Sequence, residues 1–212
     1  MTLSINSVLC VYITHLYKMK LKSIAEIRTG LATARKKATV LSDCYNYKSI
    51  NMKVFNNDTT LSIEYLDVFK SKEKITLQYL TQENDILIRL REPNHTIHIS
   101  KNDTELLIPS IIGIIRLKDR NINSRFLAFY LNSTTIKRQL TKHKQGNSII
   151  TTNTKDIENL EISLPPLSQQ NKINNMMKLA NQELNLIENL KITKQKYYSK
   201  VFNNLVENGA SK

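Results

Sequence analysis

A segment of more than forty residues near the end of this chain contains neither glycine nor proline, and it constrains the fold more than any other feature. It follows the run Leu-Pro-Pro-Leu at residues 164–167, and Ser168 is a residue type that caps helices. A helix over residues 169–205 would be about 55 Å long at roughly 1.5 Å per residue. The average helix of a globular protein has about 12 residues. The sequence therefore predicts an unusually long helix that begins after the two prolines.

Apolar residues recur along this segment at alternating steps of four and three. The spacing places them on one narrow stripe, which is typical of a helix that pairs with another helix. The same count reaches Lys191 and Lys194, so either the lysine stems lie along the stripe or the register shifts to Leu190 and Tyr197. The alternative is a helix on its own domain's core, which usually shows a wider apolar stripe. The predicted pairing residues are Ile173, Met177, Ala180, Leu184, Ile187, Tyr198, Val201 and Leu205.

The chain has a formal net charge of +13 over 212 residues, and both residues 1–165 and residues 166–212 are basic. A chain this basic suits an anionic partner, which is nucleic acid in the first place and a membrane surface in the second. The alternative is a solvated basic surface from a genome whose codons favour lysine and asparagine.

Cysteine content and hydropathy indicate the compartment. Cys10 and Cys44 are too few for a disulfide framework and suit a reducing cytoplasm. No stretch reaches the roughly 18–20 apolar residues that a membrane span requires. We therefore expect a cytoplasmic protein with no membrane partner.

The pattern divides the chain into an N-terminal extension at residues 1–19, a domain at residues 20–165 and the long helix at residues 166–212. Met19 precedes the first patterned residues, so either translation starts there or the residues before it form an added strand. Runs rich in β-branched and aromatic residues, alternating with helical spacing, predict an α+β fold. Gly30 is predicted to adopt a positive φ or a tight turn. Predicted helices lie at residues 21–27 and 125–140, and predicted strands at residues 45–55, 60–69, 86–88, 96–100 and 106–117.

Motifs for catalysis and metal binding are absent from the sequence. The four glycines are too scattered for a dinucleotide-binding or phosphate-binding loop. His95 and His98 are three residues apart, which places them on opposite faces of a strand and argues against a shared metal ion. No nucleophile and base stand in a recognisable arrangement. We expect a binding protein, not an enzyme, with no metal or cofactor of its own.

Six segments follow one another at a distinctive spacing. They are residues 21–30, Asn84-Asp85-Ile86-Leu87-Ile88, Pro109-Ser110 with the isoleucine-rich run to Arg116, Phe129-Tyr130-Leu131, Gly146, and Leu164-Pro165-Pro166-Leu167-Ser168-Gln169-Gln170-Asn171-Lys172-Ile173. In this order they resemble the specificity subunit of type I restriction–modification enzymes, over about residues 20–205. The family commonly has Glu-Gln where this chain has Gln169 and Gln170, so the first turn of the helix lacks an acidic residue.

The resemblance implies a fold, a function and partners. A target-recognition domain of mixed α/β fold reads one half of a bipartite site in double-stranded DNA. A long helix follows as a spacer and pairs antiparallel with a second helix. Modification subunits, which carry the S-adenosylmethionine chemistry, dock on this assembly, and ATP-dependent restriction subunits are a further partner. The specificity subunit itself is not catalytic.

This sequence is shorter than the usual family member. A usual member has two recognition domains and two spacer helices, whereas this sequence has one of each, so we expect a half-subunit. It would form a homodimer or pair with another half-subunit, and a symmetric pair would read a palindromic bipartite site. The alternatives are a truncated or silent gene, and a basic coiled-coil scaffold or regulator that binds DNA nonspecifically. A diverged nuclease or methyltransferase ranks third, because no motif supports it.

Basic and amide side chains are the candidates for DNA contact. Lysine and arginine suit phosphates, while arginine, asparagine and glutamine suit base edges. Lys142, Lys144 and Asn147 follow a predicted helix, where a segment could enter a groove. For each candidate the alternative is a solvated surface charge. The candidate DNA-binding residues are Arg35, Lys36, Lys37, Arg89, Arg91, Lys137, Arg138, Lys142, Lys144 and Asn147.

Overall fold

The described residues form two compact units, one that ends at Asn171 and one that begins at Lys172. The first unit combines short strands with short helices, and the second consists of one long helix. This architecture confirms the α+β prediction with a long C-terminal helix. The computed structural model describes residues 17–38, 44–55, 59–119, 121–141 and 151–209.

The elements are named in chain order. The strands are β1 (Tyr17–Lys20), β2 (Ala25–Thr29), β3 (Tyr45–Ser49), β4 (Asp67–Ser71), β5 (Ile86–Arg89), β6 (Thr96–His98), β7 (Ile112–Leu117) and β8 (Glu161–Leu164). The α-helices are α1 (Leu21–Ile24), α2 (Ser124–Leu131), α3 (Thr134–Thr141), α4 (Thr154–Glu158) and α5 (Leu167–Gly209).

A four-stranded antiparallel sheet in the order β2-β7-β5-β6 forms the centre of the first unit. Leu87, Ile97 and Ile114 share one face of it, and Ile86 and Ile115 share the other. All five side chains are fully buried. Because both faces are covered, β5 appears in the sequence as a continuous apolar run rather than an alternating one.

Different segments cover the two faces of this sheet. On the face of Leu87, the segment after β3 supplies Ile50, Val54 and Phe55 to one apolar cluster. On the other face, the Thr96 hydroxyl donates a hydrogen bond to the Ala128 carbonyl at 2.7 Å and holds α2 against β6. The sheet therefore lies between a helical layer and a layer of loops and short strands.

The helix predicted over residues 21–27 is wrong after its first turn. Only α1 is helical, and Ala25 begins β2, which pairs with β7 along five residues. A long-range ladder overrides the local helical spacing here, since a one-turn helix has little stability of its own. Gly30 is needed for close approach, because a Cβ at this position would clash with the carbonyl oxygens of Ile108 and Pro109.

The helix predicted over residues 125–140 is two helices, α2 and α3. They separate at Asn132, where the first helix ends. The Asn132 side chain forms hydrogen bonds with the backbone of the edge strand β6. Its Oδ1 accepts from the Thr96 amide at 2.8 Å, and its Nδ2 donates to the Thr96 carbonyl at 2.9 Å. The asparagine thus closes a sheet edge that would otherwise expose backbone groups.

Strands β1 and β8 form a separate antiparallel pair, with Met19 opposite Ile162 and Lys20 opposite Glu161. The boundary drawn at residue 19 therefore falls inside a strand of the first unit. The edge of β8 is closed by Gln139 of α3, which exchanges two hydrogen bonds of 2.9 Å with the backbone of Glu161.

Helix α5 contains 43 residues and confirms the long-helix prediction. Its start differs from the prediction, because α5 begins at Leu167 and the Pro166 carbonyl accepts from the Gln169 and Gln170 amides, so Ser168 is not the cap. Gln170 is 3% exposed and holds this first turn in the first unit. Its Oε1 accepts from the Asn123 amide at 2.9 Å, and its Nε2 donates to the Pro165 carbonyl at 2.8 Å.

Candidate nucleic-acid interface

The strands β3 and β4 form an antiparallel ribbon that presents a polar surface to solvent. Asn46 stands opposite Lys70 and Lys48 opposite Val68, so all four side chains lie on one side of the pleat. Each of them is exposed, and Val68 is 75% exposed. We call the side chains of Asn46, Lys48, Val68 and Lys70 the ribbon face.

The opposite side of the ribbon is anchored in the first unit. Tyr47 and Phe69 pack against an apolar cluster that contains Leu31, Leu80 and Leu107. The Tyr47 hydroxyl also accepts a hydrogen bond from the amide of Ile75 at 3.0 Å. The ribbon is therefore rigidly mounted, with aromatic rings inward and the ribbon face outward.

The predicted residues Arg35, Lys36 and Lys37 lie beside this ribbon. A short 3₁₀ helix, Thr33–Arg35, leads into an extended stretch that pairs with β4, where the Ala38 amide donates to the Lys70 carbonyl at 2.9 Å. Arg35 and Lys37 are exposed. Lys36 is engaged in an ion pair with Glu73, and its hydrogen bond and charge lower the pKa of that carboxyl.

An open groove runs along the same region. Its volume is about 590 Å³. Lys37, Asn51, Asp67 and Lys70 contribute polar groups to its lining, and Ile111 an exposed apolar one. The groove joins the ribbon and the segment around Lys37 into one continuous surface, whose charged groups are more often basic than acidic.

A second basic group forms at the far end of β5. His95 lies close enough to Lys137 and Arg89 that their charges help to lower its pKa, after the larger effect of burial. Arg91 is exposed and its backbone forms a β-bridge with Thr151. The structure therefore brings Arg89 and Lys137 together around a histidine that resists taking a third positive charge.

The remaining predicted residues are not gathered into either group. Arg138 is exposed on α3. Lys142, Lys144 and Asn147 lie outside the described residues. Among the described candidates, the structure thus separates a group beside the ribbon from a group around His95, and it does not gather them on one surface.

Two polar clusters have a structural role, and the first lies in segments that carry the resemblance. Arg116 binds Asp85 with two hydrogen bonds, from Nε at 2.7 Å and from Nη2 at 2.6 Å, and Asp85 also accepts from the Gln82 amide at 2.9 Å. His98 Nε2 lies 3.0 Å from Ser124 Oγ, and burial lowers the pKa of His98 to about 4, with a smaller effect from Arg125. These contacts hold the turn before β5 and the start of α2.

Sequence reasoning missed the ribbon face. The only available signal was alternation in the two strands, Tyr-Asn-Tyr-Lys-Ser and Asp-Val-Phe-Lys-Ser, in which aromatic residues alternate with polar ones. The exposed Val68 breaks this pattern, because the sequence alone gives it the appearance of a core residue.

The part of the chain that the structure describes contains neither a cluster of metal ligands nor a membrane-spanning helix. Within those residues, no three histidine, cysteine, aspartate or glutamate side chains are placed to hold a metal ion. Among the same residues, no helix is long and apolar enough to cross a membrane.

The chain belongs to the family of type I restriction modification DNA specificity domains, whose family model matches residues 16–196. This match confirms the resemblance and the specificity class, which is a class of DNA recognition rather than catalysis. A comparison with curated proteins found no match.

Solved structures share the fold at low sequence identity. The HsdS subunit from Thermoanaerobacter tengcongensis is 18% identical with a TM-score of 0.54, over 82% of this chain and 39% of that one. A chain from a study of complex assembly and conformational transition of the type I R-M system is 18% identical with a TM-score of 0.58, over 85% and 44%. The type I S subunit from M. genitalium is 14% identical with a TM-score of 0.52, over 81% and 40%. This chain thus spans less than half of each.

Proposed function

We propose that this protein is a DNA sequence-specificity subunit of a type I restriction–modification system that reads one half of a bipartite site. The observation that carries the proposal is the family match across both the first unit and most of α5. In this proposal residues 20–165 are the target-recognition domain and residues 166–212 are the spacer and pairing helix. Residues 1–19 are an extension whose last three residues, 17–19, pair with β8 of that domain.

The apolar residues exposed along α5 support a helical partner. Leu184, Ile187, Tyr198 and Leu205 of the predicted stripe are each more than half exposed, while Val201 is 36% exposed. An apolar stripe of this length on a single helix is stabilised when a second helix covers it. We propose a second copy of this chain, or another half-subunit, as that helix.

Catalytic chemistry belongs to the partners in this proposal. Modification subunits supply the S-adenosylmethionine chemistry, restriction subunits supply ATP-dependent cleavage, and the present chain holds neither cofactor. The assembly acts in the cytoplasm on double-stranded DNA. Arg35, Lys37, Arg91, Lys137 and Arg138 are proposed phosphate contacts, because each presents a basic side chain at or near the surface.

Selection from a pool of random DNA duplexes tests this function. The full chain, co-purified with a type I modification subunit from the same genome, is expected to enrich duplexes that share a short fixed sequence. Affinity that is equal for all sequences and falls steeply with salt would contradict the proposal and favour the nonspecific scaffold.

A further inference from the structure

We propose that the ribbon face enters the major groove of DNA and reads the bases of the half-site. The inference rests on the proposed function and adds to it the residues that determine specificity. The ribbon face lies outside the ten basic and amide residues that the sequence suggested, so it is a separate assignment.

The size of the ribbon face matches the groove. The two cross-strand pairs, Asn46 with Lys70 and Lys48 with Val68, have side chains roughly 5 Å apart. Successive pairs on one face of a strand are about 7 Å apart, twice the rise per residue. The B-DNA major groove is about 12 Å wide and admits a two-stranded ribbon. Four side chains on such a patch could reach two or three adjacent base pairs.

The ribbon is held in place, which readout of base edges requires. Residues 36–38 support β4 at the end where Lys70 lies, and Leu107 supports β3 at the other end, where the Ile50 amide donates to its carbonyl at 2.9 Å. Tyr47 and Phe69 fix the inner side. Contacts within the protein therefore fix the backbone of the ribbon, so the ribbon face is preorganised for DNA binding.

The side-chain chemistry of the ribbon face complements base edges. An asparagine can bind adenine through N6 and N7, and a lysine can bind guanine through O6 and N7. An apolar side chain contacts the thymine methyl group. Val68 does not belong to the core, because its side chain is 75% exposed. Its cross-strand neighbour is Lys48, which is polar. In the part of the chain that the structure describes, most of the Val68 side chain is open to solvent, and a thymine methyl group would give it an apolar contact.

The charge around the ribbon face favours a nucleic acid over a protein partner. Lys48 and Lys70 lie on the face itself, and Lys37 lines the adjoining groove with Lys70. The nearby Glu73 is neutralised by Lys36. Asp67 is exposed at the end of β4 and also lines this groove, where the two lysines, Lys37 and Lys70, outnumber it. Its place in the strand puts its side chain on the other side of the pleat from Val68, so the ribbon face itself carries no acidic side chain.

The random-duplex selection, repeated with single variants of the full chain and its modification subunit, tests the assignment. Asn46→Ala, Lys48→Ala and Val68→Ser should each relax or change base preference at one or two positions of the half-site. We expect a loss of discrimination on the order of ten- to a hundred-fold at those positions. Thermal unfolding of each variant should match the wild type, since all three side chains are exposed.

Matched substitutions elsewhere serve as controls. Lys101 and Asn102 are exposed on a separate 3₁₀ turn, Lys101–Asp103, and Leu77 is 69% exposed. Lys101→Ala, Asn102→Ala and Leu77→Ser should leave the enriched sequence unchanged. Arg91→Ala, at a proposed phosphate contact, should weaken binding to all sequences alike and reduce the salt slope by about one.

The outcomes separate this inference from the proposed function. A wild-type complex that enriches a fixed sequence, with variants of the ribbon face that enrich the same sequence, overturns the readout assignment alone. Variants that bind all sequences more weakly, with unchanged base preference, also overturn the readout assignment and make the ribbon face a phosphate contact. Loss of the modification subunit with DNA preference retained makes it a protein-docking face. If the wild type enriches nothing, the proposed function fails and the readout assignment fails with it.

Discussion

Asp85 is 1% exposed, and the bidentate contact with Arg116 makes its charge tolerable inside the first unit. The two residues are 31 positions apart in the sequence. Both belong to segments that carry the family resemblance, yet nothing local indicates that they meet. Their pairing could not be predicted from sequence, because it depends on β5 and β7 lying side by side.

Substitution of Arg116 should reduce the stability of the fold more than substitution of Asp85. Arg116→Met leaves the Asp85 carboxylate buried and unpaired, so we expect a loss of about 3 kcal/mol or more in the free energy of unfolding. Asp85→Asn leaves the partly exposed Arg116 near solvent and keeps an acceptor for Gln82, so we expect about 1–2 kcal/mol. Urea unfolding of the two variants measures the order, and a larger loss for Asp85→Asn would contradict it.

His98 makes stability depend on pH in acid. Its pKa is about 4 in the folded protein against 6.5 for the unfolded chain, because burial disfavours the charged ring. The unfolded state therefore takes up a proton first, and stability falls as the pH drops from about 6.5 to about 4, with no further loss from this group below that. At pH 5 the loss is up to about 2 kcal/mol relative to pH 7.

The variant His98→Gln isolates this contribution. It should be less stable than the wild type at pH 7, because it changes the contact with Ser124, but it should lose less stability between pH 7 and pH 5. Chemical unfolding at both pH values gives the comparison. Equal losses in the two proteins would show that His98 does not titrate as the structure requires.

At the level of elements, the long helix α5 could be predicted from the sequence, but the bounds of the short helices could not. The stripe through Ile173 and Ile187 is a local pattern that needs no knowledge of neighbours. In contrast, residues 25–27 fit a helix by spacing and form β2 because β7 pairs with them. The helix break at Asn132 likewise depends on Thr96, which lies 36 positions earlier in the chain.

The pairing stripe of α5 gives an element-scale prediction. Ile187→Asp places a charge in the proposed seam, and we expect association of two helices to weaken at least about tenfold. Gln182→Asp, at a position on the opposite side of the helix by heptad count, is the matched control and should have little effect. Sedimentation equilibrium of the full chain measures both, and equal weakening by the two variants would argue against this seam.

Lys191 and Leu190 distinguish the two possible registers. Lys191 lies 3.2 Å from Glu188 in an exposed i,i+3 ion pair, so its ammonium group has a partner on its own helix. If the register shifts to Leu190 and Tyr197, Leu190→Ala should weaken association more than Lys191→Ala. The unshifted register predicts that Leu190→Ala has the smaller effect, and the same sedimentation measurement decides between them.

For the whole molecule, the family could be predicted from the sequence, while the surface that we propose reads DNA could not. The order of segments from Asn84 to Ile173 was sufficient to indicate a type I specificity subunit, and the family match confirms it. The residues suggested for DNA contact are basic or amide side chains, and three of them are also suggested by their position after a predicted helix. Charge does not indicate which side chains share a rigid face, so Asn46 and Val68 were overlooked.

The most direct test of the central claim is a map of adenine methylation in living cells. This chain is expressed with a type I modification subunit from the same genome in a host that lacks other methylation, and long-read sequencing locates the modified bases. A bipartite palindromic motif is the expected result, because a symmetric pair of helices carries two identical readers. A bipartite motif with two different halves would replace the homodimer by a pair of unlike half-subunits. The absence of any motif, in cells where the two proteins co-purify, would contradict the claim that this chain directs methylation to a sequence.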